Sequence, residues 1–270
     1  MEHTLRDLQL CELEIAKNVL EICRKHDLRV FMIGGTFLGA VRHGGFIPWD
    51  DDIDLAFSRE DYETFVKVAP QELKEGYHLR YFMTDDDMEY YPAQVVDPSF
   101  QIRDTSAQVE KTRQAWIDLF PIDGMPKGEL GRKIHKYRLL YLRMMLKFSQ
   151  FSTVVAVGLK NRPLHERILI AVGKHLPLEK ILNTKKRMLL IDKALKKYPY
   201  ADATHAVNFM GAYKFRELFP REIYHDLVEY PFEDISLLGP KEYDTYLKKL
   251  YGDYMTPPPV DEQNKHGTEL

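Results

Sequence analysis

Cysteine is nearly absent from this chain of 270 residues. Cys11 and Cys23 are the only two, so no disulfide framework can be the source of its stability. Both fall on one predicted helix, where twelve residues of separation put them roughly 18 Å apart, too far to bridge. Long apolar runs are missing as well. The longest, Val154 to Leu159, is far short of the ~20 residues a membrane-spanning helix needs. Met1-Glu2-His3-Thr4 leads into charged residues rather than an apolar stretch, so no secretory signal is expected there. A reduced, cytoplasmic setting fits these absences. There is no internal repeat and no low-complexity tract, and the formal charge of −3 gives no reason to expect a nucleic-acid partner.

What is present is a 44% apolar composition, enough for a substantial core, and an uneven distribution of charge. Between Leu130 and Tyr200 there are 17 Lys/Arg against 3 acids, a net of +14, which leaves −17 on the rest of the chain. A split of this kind points to an anionic surface or polymer. Apolar residues at helical spacing predict an amphipathic helix over 5–26. Leu28 to Ile33 predicts a strand feeding a Gly-Gly turn, Phe37 to Val41 a short helix, and Ile53 to Phe57 a second strand. Ser58 reads as the N-cap of a helix over Glu60 to Val68. Short strands are expected at 77–83, 93–97, 99–104 and Trp116 to Phe120, a helical segment from Leu130 to Lys197, and a helix over Lys241–Tyr251 in a mixed C-terminal third. The boundaries that follow are a core over 1–130, a helical basic segment over 131–200, and a C-terminal part over 201–270 packing back on the core.

The stretch from Gly34 to Leu55 carries the chemistry. The apolar run Val30-Phe31-Met32-Ile33 ends in Gly34-Gly35-Thr36, and sixteen residues separate Gly35 from Asp52-Ile53-Asp54. Alternate side chains of a strand share a face, so Asp50, Asp52 and Asp54 are expected to project together and Asp51 to point away, as a loop acid capping a backbone N–H. Carboxylates that close repel each other, and a divalent cation relieves them; hard oxygen ligands suit Mg²⁺ or Mn²⁺. Glycines without a Cβ let backbone approach a phosphate. Asp118, inside the apolar stretch Trp116-Ile117-Asp118-Leu119-Phe120, is a third candidate ligand, because a charge in such a strand is costly unless paired or metal-bound. Its alternative is an edge-strand acid facing solvent. Asp123, before Gly124, reads as a turn residue.

The pattern Gly34-Gly35…Asp52-x-Asp54 resembles the signature of the nucleotidyltransferase superfamily, related to the palm of DNA polymerase β, with a longer gap than is usual there. The longer stretch GTFLGAVRHGGFIPWDDDIDL resembles the LicD family of phosphocholine transferases, which includes the fukutin-related sugar-phosphate transferases. Further matches lie at Trp116–Gly124, Phe232–Ile235, Pro240–Tyr243, Tyr251–Met255 and His266, so the likeness runs from about Asp27 onward and is weakest between 131 and 205. It implies an α+β fold with a palm-like mixed sheet, flanking helices and the helical basic segment. It also implies a metal-dependent transferase that moves phosphocholine from CDP-choline to a hydroxyl of a glycan or lipid-linked glycan precursor, of teichoic acid or lipopolysaccharide type, releasing CMP. The inner face of a bacterial membrane is the setting that goes with it.

On this reading Asp52, Asp54 and Asp118 are the catalytic acids and, with Asp50, the metal ligands, while Gly34, Gly35, Thr36 and Arg42 contact the donor. Asp118 would take the acceptor's proton by analogy. Arg42 could equally neutralise a phosphate or pair with a nearby aspartate. The roles of His43 and His266 stay open. Trp49, Tyr90 and Tyr91 are candidates to face a quaternary ammonium, with ordinary packing as the competing account. Two other functions remain: transfer from another CDP-alcohol, a sugar-phosphate donor or a nucleotide, and a catalytically silent module that binds a polyanion through its basic segment. The basic, apolar-interleaved segment is expected either to meet a membrane or to be an ordinary helical core with a solvated face.

Overall fold

Two short apolar strands, β1 (Val30–Met32) and β2 (Asp54–Ser58), form the centre of the computed structural model. The structure describes residues 4–104, 111–154 and 178–259, with a few scattered positions beyond them. β1 is antiparallel to β2, which in turn runs parallel to β5 (Lys111–Gly124). β5 is antiparallel to β4 (Ala93–Asp104), whose outer side carries β3 (His78–Arg80) and β10 (Thr268–Glu269). On the far side β1 is parallel to β9 (Ile235–Pro240), which forms a hairpin with β8 (Leu227–Phe232). A small ladder of β6 (His205–Val207) and β7 (Leu218–Pro220) joins the end of β5 at Asp123 and Gly124. The sheet is mixed and helices flank it.

Helix α1 (Leu5–Lys25) starts where Thr4 and Asp7 cap each other reciprocally, the Thr4 hydroxyl accepting from the Asp7 N–H and the Asp7 carboxylate accepting from the Thr4 N–H. It packs against β4 and β5 beside α3 (Arg59–Glu72). As the sequence predicts, Ser58 caps α3, its Oγ accepting from the Asp61 N–H at 3.1 Å. The expected turn at Gly34-Gly35-Thr36 is instead the first turn of α2 (Gly34–His43). Gly34 sits at φ +56°, so the left-handed residue makes the change of direction and no separate turn is needed. β4 is one strand rather than two, with a register irregularity between Asp97 and Gln101 around Pro98, which has no N–H to give the ladder. The basic segment supplies α4 (Glu129–Ser149) and α5 (Thr184–Leu195), which pack on each other, and the C-terminal third supplies α6 (Tyr243–Tyr251).

One of the later motifs, Phe232–Ile235, turns out to be a clamp. Glu233, in the β8–β9 turn, accepts from the Phe46 N–H at 3.2 Å and pairs with Arg6 at 2.5 Å, while Asp234 pairs with Lys17 at 2.7 Å. The hairpin thereby ties α1 to the loop after α2.

Asp123 is not a turn residue. It lies buried at the end of β5 and takes a two-pronged hydrogen bond from Arg59, Nε to Oδ1 at 2.7 Å and Nη2 to Oδ2 at 2.8 Å. Tyr91 accepts from the same guanidinium and donates to Asp192 on α5 at 2.7 Å, so one buried cation links β5, α3 and the helical segment. Removing it would leave the buried Asp123 carboxylate uncompensated, whereas Asp192 keeps Lys196 at 2.8 Å. Arg59→Leu should therefore destabilise the fold by about 3–5 kcal/mol in urea unfolding. A loss below about 1 kcal/mol would show the pair to be dispensable.

Candidate active site

The parallel ladder sets Asp54, first residue of β2, directly beside Asp118 of β5. Asp118 is held by two donors, Gln94 Nε2 at 2.8 Å and Trp116 Nε1 at 3.1 Å. The Asp54 N–H donates to Thr36 Oγ1 at 2.8 Å, which ties the start of β2 to the first turn of α2. Residues 51–53 are irregular, so the alternation that would turn Asp51 away does not operate. Asp51 is buried, and its carboxylate lies with those of Asp50 and Asp52, all three within 4.8 Å of one another. Gln9 of α1 holds this loop by donating to the Asp50 carbonyl at 2.9 Å.

Burial pushes the Asp54 carboxyl well above the usual range, reinforced by Asp52, Asp118, Asp50 and Glu217. Burial likewise raises Asp118, against the lowering effect of Gln94, Trp116 and Arg113. Among the described residues neither of the two forms an ion pair. Glu12, which sequence reasoning missed, is fully buried on α1 with both carboxylate oxygens lacking a hydrogen-bond partner, and the acids nearest in effect are Asp52, Asp51, Asp50 and Asp118. Such a set of hard oxygen donors with an orphaned buried carboxylate fits a divalent cation of the Mg²⁺ or Mn²⁺ type.

The two glycines make room for the acids themselves. A Cβ on Gly35 would stand 2.7 Å from Asp50 Oδ2, and one on Gly34 would stand 3.2 Å from Asp54 Oδ2. The Gly34 N–H donates to the Tyr246 hydroxyl at 3.2 Å, and that hydroxyl donates to Glu217 Oε2 at 3.0 Å. Asn208 Nδ2 reaches both Glu217 oxygens at 3.3 Å. Burial pushes this carboxyl up to about 7 in spite of those donors and of Arg143. Nothing around Glu217 in the sequence marks it out, because its partners are Tyr246 of α6 and Asn208, just after β6.

Beside Asp118 a hollow of about 160 Å³ is lined by Tyr90, Phe120, Arg143, Lys147 and Met210. Arg143 donates to the carbonyls of Phe209 and Gly211 and lies over the Phe209 ring; burial pushes it down to about 10. Lys147 opens to the hollow yet is ringed by protein atoms, and that desolvation, with Arg143 and Lys214 nearby, pushes its ammonium down to about 8. Among the described residues neither cation has a carboxylate at ion-pair distance. On the other side, Gln94, Tyr90, Arg113 and Trp116 line a wider groove of about 470 Å³, with Arg113 stacked over both rings at 4.6 and 5.3 Å.

Arg42 neither pairs with an aspartate nor reaches the hollow. Its Nη1 donates to the Tyr254 carbonyl at 2.8 Å, and it lies 5.9 Å from the Trp49 ring, against which His43 also packs edge-on. Tyr91 is committed to Arg59 and Asp192, which leaves Tyr90 as the expected aromatic that faces open space. His266 lies outside the described residues.

Glu217 makes a pH test possible. Its folded value near 7 lies above its ordinary 4.5, so the folded protein keeps a proton that the unfolded chain has already lost. The stability tied to that proton is present in full below about pH 4.5 and is lost as pH rises through about 7, by roughly 3 kcal/mol. Urea unfolding in metal-free buffer at pH 5 and pH 8 should show a smaller decline for Glu217→Gln than for wild type. Identical declines would remove Glu217 as the cause.

Residues 27–139 match the family described as LicD/FKTN/FKRP, nucleotidyltransferase domain. The chain is 29% identical to the lipopolysaccharide cholinephosphotransferase LicD of Haemophilus influenzae over 276 aligned residues, covering 97% of this chain and 96% of that protein. It is 44% identical to the human ribitol 5-phosphate transferase FKRP over 48 residues, 18% of this chain and 10% of that protein. An uncharacterised protein of Rickettsia typhi is 37% identical over 68 residues, 25% of this chain and 22% of that one. The matched segment holds Gly34, Gly35, Asp50, Asp52, Asp54 and Asp118. Residues 27–139 thus match the LicD/FKTN/FKRP nucleotidyltransferase domain, and nearly the whole chain is similar to a lipopolysaccharide cholinephosphotransferase.

Proposed function

We propose that the protein is a phosphotransferase that moves phosphocholine from CDP-choline to a hydroxyl of a glycan or lipid-linked glycan acceptor and releases CMP. The observation that carries this is that Asp118, with Asp54 beside it in the ladder, lines one hollow together with Arg143 and Lys147, and among the described residues none of the four forms an ion pair. A diphosphate bridges such opposed charges when a divalent cation sits with the acids. That ion, Mg²⁺ or Mn²⁺, supplies charge neutralisation at the transferring phosphorus, and Asp50, Asp52, Asp54 and Asp118 are the residues to hold it. Arg143 and Lys147 hold the non-transferring phosphate oxygens. The acceptor hydroxyl attacks the choline-bearing phosphorus, the bond to CMP breaks, and Asp118 receives the hydroxyl proton. Gly34, Gly35 and Thr36 act on this reading by placing Asp50 and Asp54, and Arg42 stays at the rim of the donor site. The groove lined by Tyr90 and Trp116 offers aromatic faces to a sugar or to a quaternary ammonium.

The core over 1–130 is proposed to be palm-like, with 131–200 as its helical partner and 201–270 packed back on it. A different donor, CDP-ribitol for instance, is the second reading, favoured by the likeness to a ribitol 5-phosphate transferase over 48 residues. A panel of CDP-choline, CDP-ribitol and CDP-glycerol, assayed for CMP release against a metal-free control, separates the two. No release from any of them would overturn both.

The basic segment is proposed to meet the inner membrane face. On α4, Leu130, Ile134, Tyr137 and Tyr141 recur along one stripe and are 72%, 63%, 62% and 57% exposed, with Lys133, Lys136 and Arg138 among them. Leu139 and Leu146 are buried instead, and no described helix is long and apolar enough to cross a membrane.

Asp52→Asn and Asp54→Asn should leave the fold intact and lower turnover by two orders of magnitude or more, since each removes charge that holds the metal. Retention of more than about a tenth of wild-type turnover, with unchanged metal dependence, would overturn the metal assignment. Liposome co-sedimentation should rise with anionic lipid and fall with added salt. No binding to anionic vesicles at low salt would return the stripe to a structural role.

A further inference from the structure

Among the described residues, Glu12 stands out as the one glutamate that the fold buries completely and leaves with both oxygens unpartnered. Other buried carboxylates have donors: Glu217 takes Tyr246 and Asn208, Asp123 takes Arg59, and Asp118 takes Gln94 and Trp116. An orphaned one is costly, and a leucine at the same place on α1 would pack without that cost. Its surroundings make the position harder to explain as packing. Gln9, one turn earlier on the same helix, grips the Asp50 carbonyl at 2.9 Å, so this face of α1 is fastened to the loop that carries Asp50, Asp51 and Asp52. The charges that act on Glu12 most strongly, after its own burial, are Asp52, Asp51, Asp50 and Asp118, every one of them an acid. A buried acid among four others is stable in only two ways. It is neutral, or a cation lies between them.

We propose that Glu12 is a ligand of the divalent cation held by the Asp50–Asp52 loop, Asp54 and Asp118, so that α1 forms one wall of the metal site. This rests on the metal-site reading given above and extends it to a helix that lies before the matched segment. Two consequences separate it from a merely structural acid. The helix and the metal become coupled, so the ion steadies α1. The neutral isostere also weakens the ion without weakening the protein that lacks it.

Full-length wild type and Glu12→Gln are titrated calorimetrically with MnCl₂ and MgCl₂, and their thermal unfolding is followed with and without each metal. Glu12→Gln should bind Mn²⁺ at least tenfold more weakly and lose most of the metal-induced rise in Tm, while its metal-free Tm equals or exceeds that of wild type. Wild-type affinity and an undiminished Tm rise in Glu12→Gln would overturn the proposal and leave the Asp50–Asp118 site standing. Should the variant not fold, hydrogen exchange on the wild type decides: saturating Mn²⁺ should slow amide exchange across residues 8–16, and unchanged exchange would overturn the coupling. A wild type that binds neither metal would overturn the metal site and Glu12's part in it together.

Discussion

Parallel pairing of β2 with β5 in a single register is the constraint on which the rest depends. Five steps of that ladder, from Asp54↔Asp118 to Ser58↔Ile122, carry the site at one end and the buried Arg59–Asp123 pair just beyond the other. A slip of one residue would send every side chain of β2 to the opposite face. Asp54 would then sink toward the core, and Arg59 would lose the two-pronged geometry that Asp123 offers. The ion pair and the acidic pair therefore report on the same alignment from its two ends, and neither can form in the wrong one.

Around that ladder the chain gathers groups that repel one another. Glu12, Asp50, Asp51, Asp52, Asp54 and Asp118 converge from a helix, a loop and two strands, and Glu217 adds a further carboxyl behind Tyr246. Across the hollow Arg143 and Lys147 come from a helix that is strongly basic as a whole. Each cluster is unfavourable alone in a poorly solvated setting. Their opposition makes the cleft an electrostatic dipole, most comfortable when a ligand with charges of both signs lies in it.

Much of this was legible in the sequence, and the reasons for what was not are local. Thr4 and Ser58 cap their helices as their residue types suggest, and the apolar runs at 30–33 and 53–57 form the central strands. Asp52, Asp54 and Asp118 were visible because a charge inside an apolar stretch is conspicuous. Asp51 is the loop acid that the sequence suggests, but it does not point away from Asp50 and Asp52, because residues 51–53 precede the strand and its alternation does not reach them. Asp123 reads as a turn residue in the sequence because its partner, Arg59, is 64 residues away and reveals itself only in three dimensions. Glu12 and Arg143 sit on amphipathic helices, where a single charge near the apolar face is indistinguishable from one at its solvated border until the helix is docked.

β1 pairs with β9 through Phe31 and Leu238, residues far apart in the sequence. That contact cannot form during synthesis until Leu238, 207 residues after Phe31, has been made, so β1 waits with one edge bare while β2 to β5 are already available. The strand that leads into the glycines is therefore among the last to be locked, and the waiting edge is the natural place for a chaperone to hold or for a wrong partner to pair. Assembly of the catalytic end is thus a late event in the life of the molecule, set by chain connectivity rather than by the chemistry it serves.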